Sequence, residues 1–295
     1  MLALAALPGF ALRAAEPIPP VRAFVSILPQ QYFVERVGGD RVQVDVLVQP
    51  GQSHETYEPT PKQMARMSDS QVYFRIGLPF EGGIVPKIES TMKNLKIVDM
   101  AAGVPLRHME SFDRPDGGVG PDEAGGGHGH EGDDPHTWLS PRLVMIEART
   151  ICQTLAGLDP AGKPVYEMNL QAFLTDLEDA DKRLARALEP VRGKAMMVFH
   201  PAWGYFADAY GLRQAAIEVE GKAPSARQLA RIIDEGKRLR VKAIFVQPEF
   251  DPRSARTIGA TIGAKVVVID SMAKDYFANL DAVAVRIRDG LSAQE

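Results

Sequence analysis

Cysteine is all but absent from this chain of 295 residues, with Cys152 as its single example. A lone cysteine has no partner for an internal disulfide and cannot by itself build a cysteine-based zinc site. Within the apolar run 151–155 it reads as a small buried hydrophobe. An excess of one charge is also missing. The formal net charge is −4, and acids and bases are interspersed, which leaves no basic stripe for a nucleic-acid partner. Long apolar runs are missing too. The first fifteen residues are mostly small or apolar, but they are too short to span a bilayer and look like the remnant of a secretory signal. That stretch has no charged leading region, and Ala14 and Ala15 form only an imperfect cleavage site, so the true start is expected upstream. No cysteine lies near this end, so no lipid anchor is expected there, and a periplasmic location follows. Histidine is scarce, with only six residues, and none falls in the last 95.

The length suffices for two domains with separate cores, and 45% hydrophobic with 24% charged residues is the balance of a globular protein. Short β-rich runs recur at 21–28, 42–48, 72–76 and 95–98, and again at 195–199, 215–219, 243–246 and 265–269. Several are continuously apolar, as parallel strands buried on both faces are. Each is followed by a helical pattern, so the expected fold class is α/β, with two lobes of roughly four parallel strands and flanking helices. Between them, residues 164–188 place Tyr166, Leu170, Phe173, Leu174, Leu177, Leu184 and Leu188 on one face of a 3.6-residue period. A helix of that length reaches roughly 35–40 Å, enough to run along both lobes. The expected division is a signal remnant at 1–20, an N-terminal lobe at 21–160, the connecting helix at 161–190 and a C-terminal lobe at 191–295. Residues 113–134, rich in Gly, Asp, Glu and His, cannot bury a core and read as a loop.

Candidate ligands lie where strands end, which is where open α/β sheets gather their binding sites. His200 follows one strand of the second half and Asp270 ends another, so the two can converge, although a strand-end Asp alone is usually a turn former. His136 sits in Asp134-Pro135-His136-Thr137-Trp138-Leu139-Ser140-Pro141. Two prolines pin that backbone, and Ser140-Pro141 reads as an N-cap with proline at the first helical position. His54 follows the strand at 42–48. The His54-Glu55 pair is not a metalloprotease motif, because the fifth position is Glu58 rather than a second histidine. Three imidazoles with a carboxylate suit Zn²⁺. Mn²⁺ normally takes more oxygen ligands, and affinity order alone would also admit Cu²⁺ or Ni²⁺.

Together these motifs resemble the metal-binding solute-binding proteins of ABC importers, the cluster A-I group that includes the periplasmic zinc-binding proteins. The resemblance runs from Val21 to Leu291. It is carried by Pro50-Gly51, Thr56-Tyr57-Glu58-Pro59-Thr60-Pro61, Asp134 to Pro141, His200-Pro201-Ala202-Trp203-Gly204-Tyr205-Phe206, Tyr210-Gly211-Leu212, Pro224-Ser225-Ala226-Arg227-Gln228-Leu229, Phe245-Val246-Gln247-Pro248-Glu249-Phe250 and Val266-Val267-Val268-Ile269-Asp270. It implies a metal buried between two lobes joined by one rigid helix, delivery of Zn²⁺ as cargo to an ABC permease, and no enzymatic activity. It also implies His136, His200 and Asp270 as ligands. In zinc members an acidic, His-containing loop precedes the second ligand, which fits His128 and His130 as an auxiliary weak site.

The first ligand departs from the family pattern. Aligned through Thr56-Tyr57-Glu58-Pro59, the family's histidine falls at Glu55, and His54 stands one residue early. Either His54 coordinates after a small backbone shift or Glu55 replaces it as an oxygen donor; the expected set is His54, His136, His200 and Asp270, with Glu55 as the alternative first ligand. Rival readings are a zinc-dependent hydrolase, which would need an open coordination position and a nearby base, a Mn²⁺-carrying member of the same family, and a metal-free structural or adhesive role. A monomer is expected.

Overall fold

The computed structural model describes residues 19–109, 132–218 and 225–292. Among the described residues, eight strands fall into two four-stranded, fully parallel sheets. In the first, β1 (Val21–Val25), β2 (Val42–Val46), β3 (Val72–Arg75) and β4 (Lys96–Asp99) stand in the order β2-β1-β3-β4. In the second, β5 (Ala195–Val198), β6 (Arg213–Ala216), β7 (Ala243–Val246) and β8 (Lys265–Val268) repeat that order as β6-β5-β7-β8. All eight expected strands are present. The one at 215–219 begins earlier, because pairing starts at Ala195 opposite Arg213. Parallel strands need long crossovers, and helices supply them. The N-terminal lobe uses α1 (Leu28–Gly38), α2 (Pro61–Ser68) and α3 (Pro79–Thr91). After it come α4 (Pro141–Leu158) and α5 (Lys163–Leu188), then α6 (Gly204–Tyr210), α7 (Ala226–Arg238), α8 (Arg253–Ile262) and the closing α9 (Tyr276–Ser292).

The amphipathic pattern of α5 resolves as predicted. Tyr166, Leu170, Phe173, Leu174, Leu177, Leu184 and Leu188 are all buried, and so is Ala180 between them. Its 26 residues span about 39 Å. This one helix packs against α4 and α1 of the first lobe and α9 of the second. Where the lobes meet on it, Phe33 of α1, Phe173 of α5 and Tyr276 of α9 form a ring cluster, with Phe33 and Tyr276 edge to face at 4.9 Å. Lys274 and Glu35 add an ion pair between the lobes at 2.9 Å. One apolar core therefore runs through the first lobe, the connecting helices and the inner face of the second sheet. A smaller, separate core under α7 and α8 covers that sheet's outer face.

Cys152 is buried on α4, as its neighbours implied. Ser140 is the N-cap residue of α4 with Pro141 behind it, but its side chain makes no capping hydrogen bond. The proline and the preceding 3-10 turn Thr137–Leu139 set the helix start instead. Among the described residues no helix is long and apolar enough to cross a membrane.

Candidate metal centre

The segments that follow the carboxyl ends of β2 and β5 carry His54, Glu55 and His200, and the turn before α4 carries His136. The loop after β2 holds His54 and Glu55. It is anchored by Tyr57, whose hydroxyl lies 2.7 Å from the Leu47 carbonyl and 2.8 Å from Gln63 Oε1. Gln63 also donates to the Leu47 carbonyl at 2.8 Å and reaches back to the Thr60 amide as part of the α2 capping box. The Thr56–Pro61 motif is thus a clamp that fixes where the loop leaves and rejoins the lobe. Glycine at position 51, with φ +80°, permits the turn that opens it.

His136 lies just after Pro135 and before the 3-10 turn. Its Nδ1 sits 2.7 Å from Asp134 Oδ1, which also accepts from the His136 amide at 3.0 Å. Asp134 is fully buried, and its other oxygen lies 3.5 Å from Arg107. Arg107 continues to Asp208 at 3.2 Å, and Tyr205 joins the same cluster by donating its hydroxyl to the Asp134 carbonyl at 2.9 Å. A Cβ at Gly204 would push the Arg107 guanidinium from its place beside Asp134, so a side chain where α6 begins would disturb this pair. Behind His136, Trp138 donates its indole N–H to the Ser271 carbonyl at 2.7 Å, tying this turn to the second lobe.

His200 lies just past β5. Phe250 stacks on its ring at 4.9 Å and 23°, Gln247 donates to its carbonyl at 3.2 Å, and its Nδ1 is 2.9 Å from Glu218 Oε2. Three imidazoles thereby point Nε2 at one spot. His54 and His136 Nε2 are 3.1 Å apart, and His200 and His136 Nε2 are 3.3 Å apart. Glu55 Oε1 completes the group at 3.2 Å from His54 Nε2 and 3.5 Å from His200 Nε2. One donor atom from each of the four residues lies within 4.8 Å of the others. Crowding four lone-pair donors in a buried space without a proton for each contact is what a cation requires and what a hydrophobic core avoids.

The electrostatics agree. Burial would push the Glu55 carboxyl up, but the hydrogen bond from His54 and the charges of His200, His54 and His136 hold it down to about 2. Burial, reinforced by His200 and His54, drives His136 well below the ordinary imidazole value, so its ring is neutral and its lone pair available. Burial lowers His200 as well, but the hydrogen bond to Glu218 and the charges of Glu55, Glu218 and Glu249 lift it overall. Asp134 is raised to about 7 by burial against the pull of the His136 amide and Arg107.

The two first-ligand alternatives are therefore not exclusive in space, since His54 and Glu55 both face the group. Asp270 is not among the donors that lie within 4.8 Å of one another. Its Oδ1 accepts from the Met272 amide at 2.7 Å, and its carbonyl accepts from Asn279 at 2.8 Å, which is the turn-forming role open to any strand-end aspartate. His108 pairs with Asp133 at 3.4 Å, at the base of the segment whose His128 and His130 lie outside the described residues. The supporting acid Glu218 was missed by the sequence reading. It closes the apolar run Ala215-Ala216-Ile217 at a strand's carboxyl end, the same signal that drew attention to Asp270.

A pair of parallel-sheet lobes on one helical spine, with a buried donor cluster between them, defines the metal-binding solute-binding proteins of ABC importers. Residues 24–290 match the family described as ZnuA, zinc-uptake complex component A, periplasmic, and the chain belongs to that family. It is a family of extracytoplasmic substrate-binding components and not of enzymes. The chain is 29% identical over 246 residues to the high-affinity zinc uptake system protein ZnuA of Bacillus subtilis, covering 83% of this chain and 76% of the relative. It is 26% identical to the iron ABC transporter substrate-binding lipoprotein MtsA of Streptococcus pyogenes, covering 88% and 85%. Among solved structures, a zinc-bound deletion mutant of ZnuA is 40% identical with a TM-score of 0.83, covering 94% of this chain and 100% of that one.

Proposed function

We propose that this protein carries Zn²⁺ to an ABC permease, acting in the periplasm as a monomer, and that His54, His136, His200 and Glu55 hold the ion. The observation that supports this reading best is the convergence of three imidazole Nε2 atoms and one carboxylate oxygen on one buried point. Three nitrogens and one oxygen suit Zn²⁺, whereas Mn²⁺ favours oxygen-rich sets. The relatives named for zinc support the same metal, and the relative named for iron makes the comparison of metals necessary. Four protein ligands leave no open coordination position, which a hydrolytic zinc requires. Asp270 stands outside the proposed set as a turn-forming residue. His128 and His130 remain proposed as a weaker, auxiliary site.

The test is metal content and competition. Purified protein loaded with equimolar Zn²⁺, Mn²⁺ and Fe²⁺ should retain one equivalent of zinc, and X-ray absorption at the zinc edge should report about three nitrogen neighbours and one oxygen. Retention of manganese or iron in preference would overturn the zinc assignment, and an oxygen-dominated shell would overturn the ligand set.

A further inference from the structure

Two of the three histidines are backed by carboxylates, and the two carboxylates are treated differently. Asp134 behind His136 lies within 3.5 Å of a cation, Arg107. Glu218 behind His200 is only 3% exposed, and His200 is its one ion-pair partner among the described residues. Its second oxygen, Oε1, is buried with no hydrogen-bond partner there. The backbone of Glu218 is bonded to the strand segment that carries His200, its amide donating to the Phe199 carbonyl at 2.9 Å. Carboxylate and imidazole therefore belong to one rigid unit.

Resting on the metal-site reading above, we propose that Glu218 is a positioning and charge-setting residue for the site. Its Oε2 at 2.9 Å accepts from His200 Nδ1–H, which fixes the tautomer that turns the Nε2 lone pair toward the cargo. Its charge also sets the valence of the ion. Asp134 is offset by Arg107, whereas Glu218 adds its charge to those of Glu55 and Glu249 beside His200. A divalent ion compensates more of that buried negative charge than a monovalent ion can in a low-dielectric space. Part of the discrimination against monovalent, imidazole-binding ions such as Ag⁺ thereby comes from outside the ligand set.

Three variants of the full chain test this: Glu218→Gln, Glu218→Ala and Asp134→Asn. The probes are Zn²⁺ and Ag⁺ affinity, the Co²⁺ visible spectrum, and the melting temperature of the metal-free protein. Glu218→Gln keeps an acceptor oxygen for Nδ1–H but removes the charge. It should weaken Zn²⁺ about ten- to a hundredfold, leave Ag⁺ within about threefold of the parent, preserve the Co²⁺ spectrum and not lower the metal-free melting temperature. Glu218→Ala should weaken Zn²⁺ further and alter the Co²⁺ spectrum, because His200 loses its support. Asp134→Asn, which deprives Arg107 of its buried partner, should lower the metal-free melting temperature. Zn²⁺ affinity of Glu218→Gln within about twofold of the parent would overturn the proposal, as would an equal weakening of Zn²⁺ and Ag⁺. A His200→Ala protein that bound Zn²⁺ like the parent would instead refute the metal-site reading itself, so the two failures are distinguishable.

Discussion

His136 and His200 stand on a proline-pinned turn and a strand end, each with a carboxylate behind its Nδ1, whereas His54 and Glu55 ride on a loop. The Nδ1 of His54 is buried and meets no partner among the described residues. Half of the site is thus preorganised by hydrogen bonds to the ligand rings themselves and half only through the clamp that holds the loop. Preorganised donors lose less freedom when the ion arrives, so the two halves should differ in how much affinity each donor contributes.

The sharpest way to break that comparison is to remove one donor from each half. A four-ligand zinc site with about 10–16 kcal/mol of binding free energy averages about 2.5–4 kcal/mol per ligand. His200→Ala should therefore weaken zinc by about a hundred- to a thousandfold by chelator competition. His54→Ala and Glu55→Gln should each cost less, about tenfold, because the loop neighbour remains as a donor. Asp270→Ala should change affinity less than either, since its carboxyl is engaged with the Met272 amide. A loss for Asp270→Ala matching that of His200→Ala would return Asp270 to the ligand set and displace Glu55.

Acidity separates the same halves. Zinc must displace protons from its ligands. His200 is raised above its ordinary value, chiefly through Glu218 once the opposing effect of burial is overcome, whereas Glu55 is held at about 2. Zinc affinity should then fall as pH drops through the raised His200 value and be level above it, with Glu55 contributing nothing until far more acid solution. Calorimetric titration from pH 5 to 9 would show this, and a pH-independent affinity would contradict it.

The spine predicts a third outcome. Because α5 packs against helices of both lobes, zinc should stabilise the protein by RT ln(1 + [L]/Kd), about 4 kcal/mol at a thousandfold excess over Kd, while the radius of gyration hardly moves. Solution scattering and melting curves on the same samples can establish this. A large compaction would mean that the lobes close as a hinged clamp.

The smallest expected effect concerns Glu147, fully buried on α4, with one oxygen accepting from the Thr137 hydroxyl at 2.6 Å. Burial raises its carboxyl to about 7 against the Thr137 hydrogen bond. A folded-state value above the unfolded one means that its contribution is full below the unfolded value and is lost as pH rises through the folded one. The metal-free protein should therefore lose stability between about pH 4.5 and 7, and Glu147→Gln should flatten that slope. An unchanged slope in the variant would assign the dependence to other groups.

The eight strands were legible because they are short β-rich runs, several of them continuously apolar, and α5 because its apolar stripe holds one period over 26 residues. His136 and His200 were legible because proline and a strand end mark positions where backbone freedom is already gone. What could not be read was convergence. Asp270 and Glu218 carry the same one-dimensional signal, an acid closing an apolar run. Only the sheet order β6-β5-β7-β8 sets β6 beside β5, so that Glu218 reaches His200, and only the turn at Met272 engages Asp270 elsewhere. The His54-Glu55 pair was equally undecidable along the chain. Adjacent residues in an extended segment ordinarily point apart, and it is the irregular loop, clamped by Tyr57 and Gln63, that brings both donors to one spot. Sequence by itself determined the elements and the kinds of donor available, because local periodicity and backbone restriction are properties of neighbours. Which donors share a point was decided by tertiary structure, because that depends on contacts between segments as far apart as residues 54, 136 and 200.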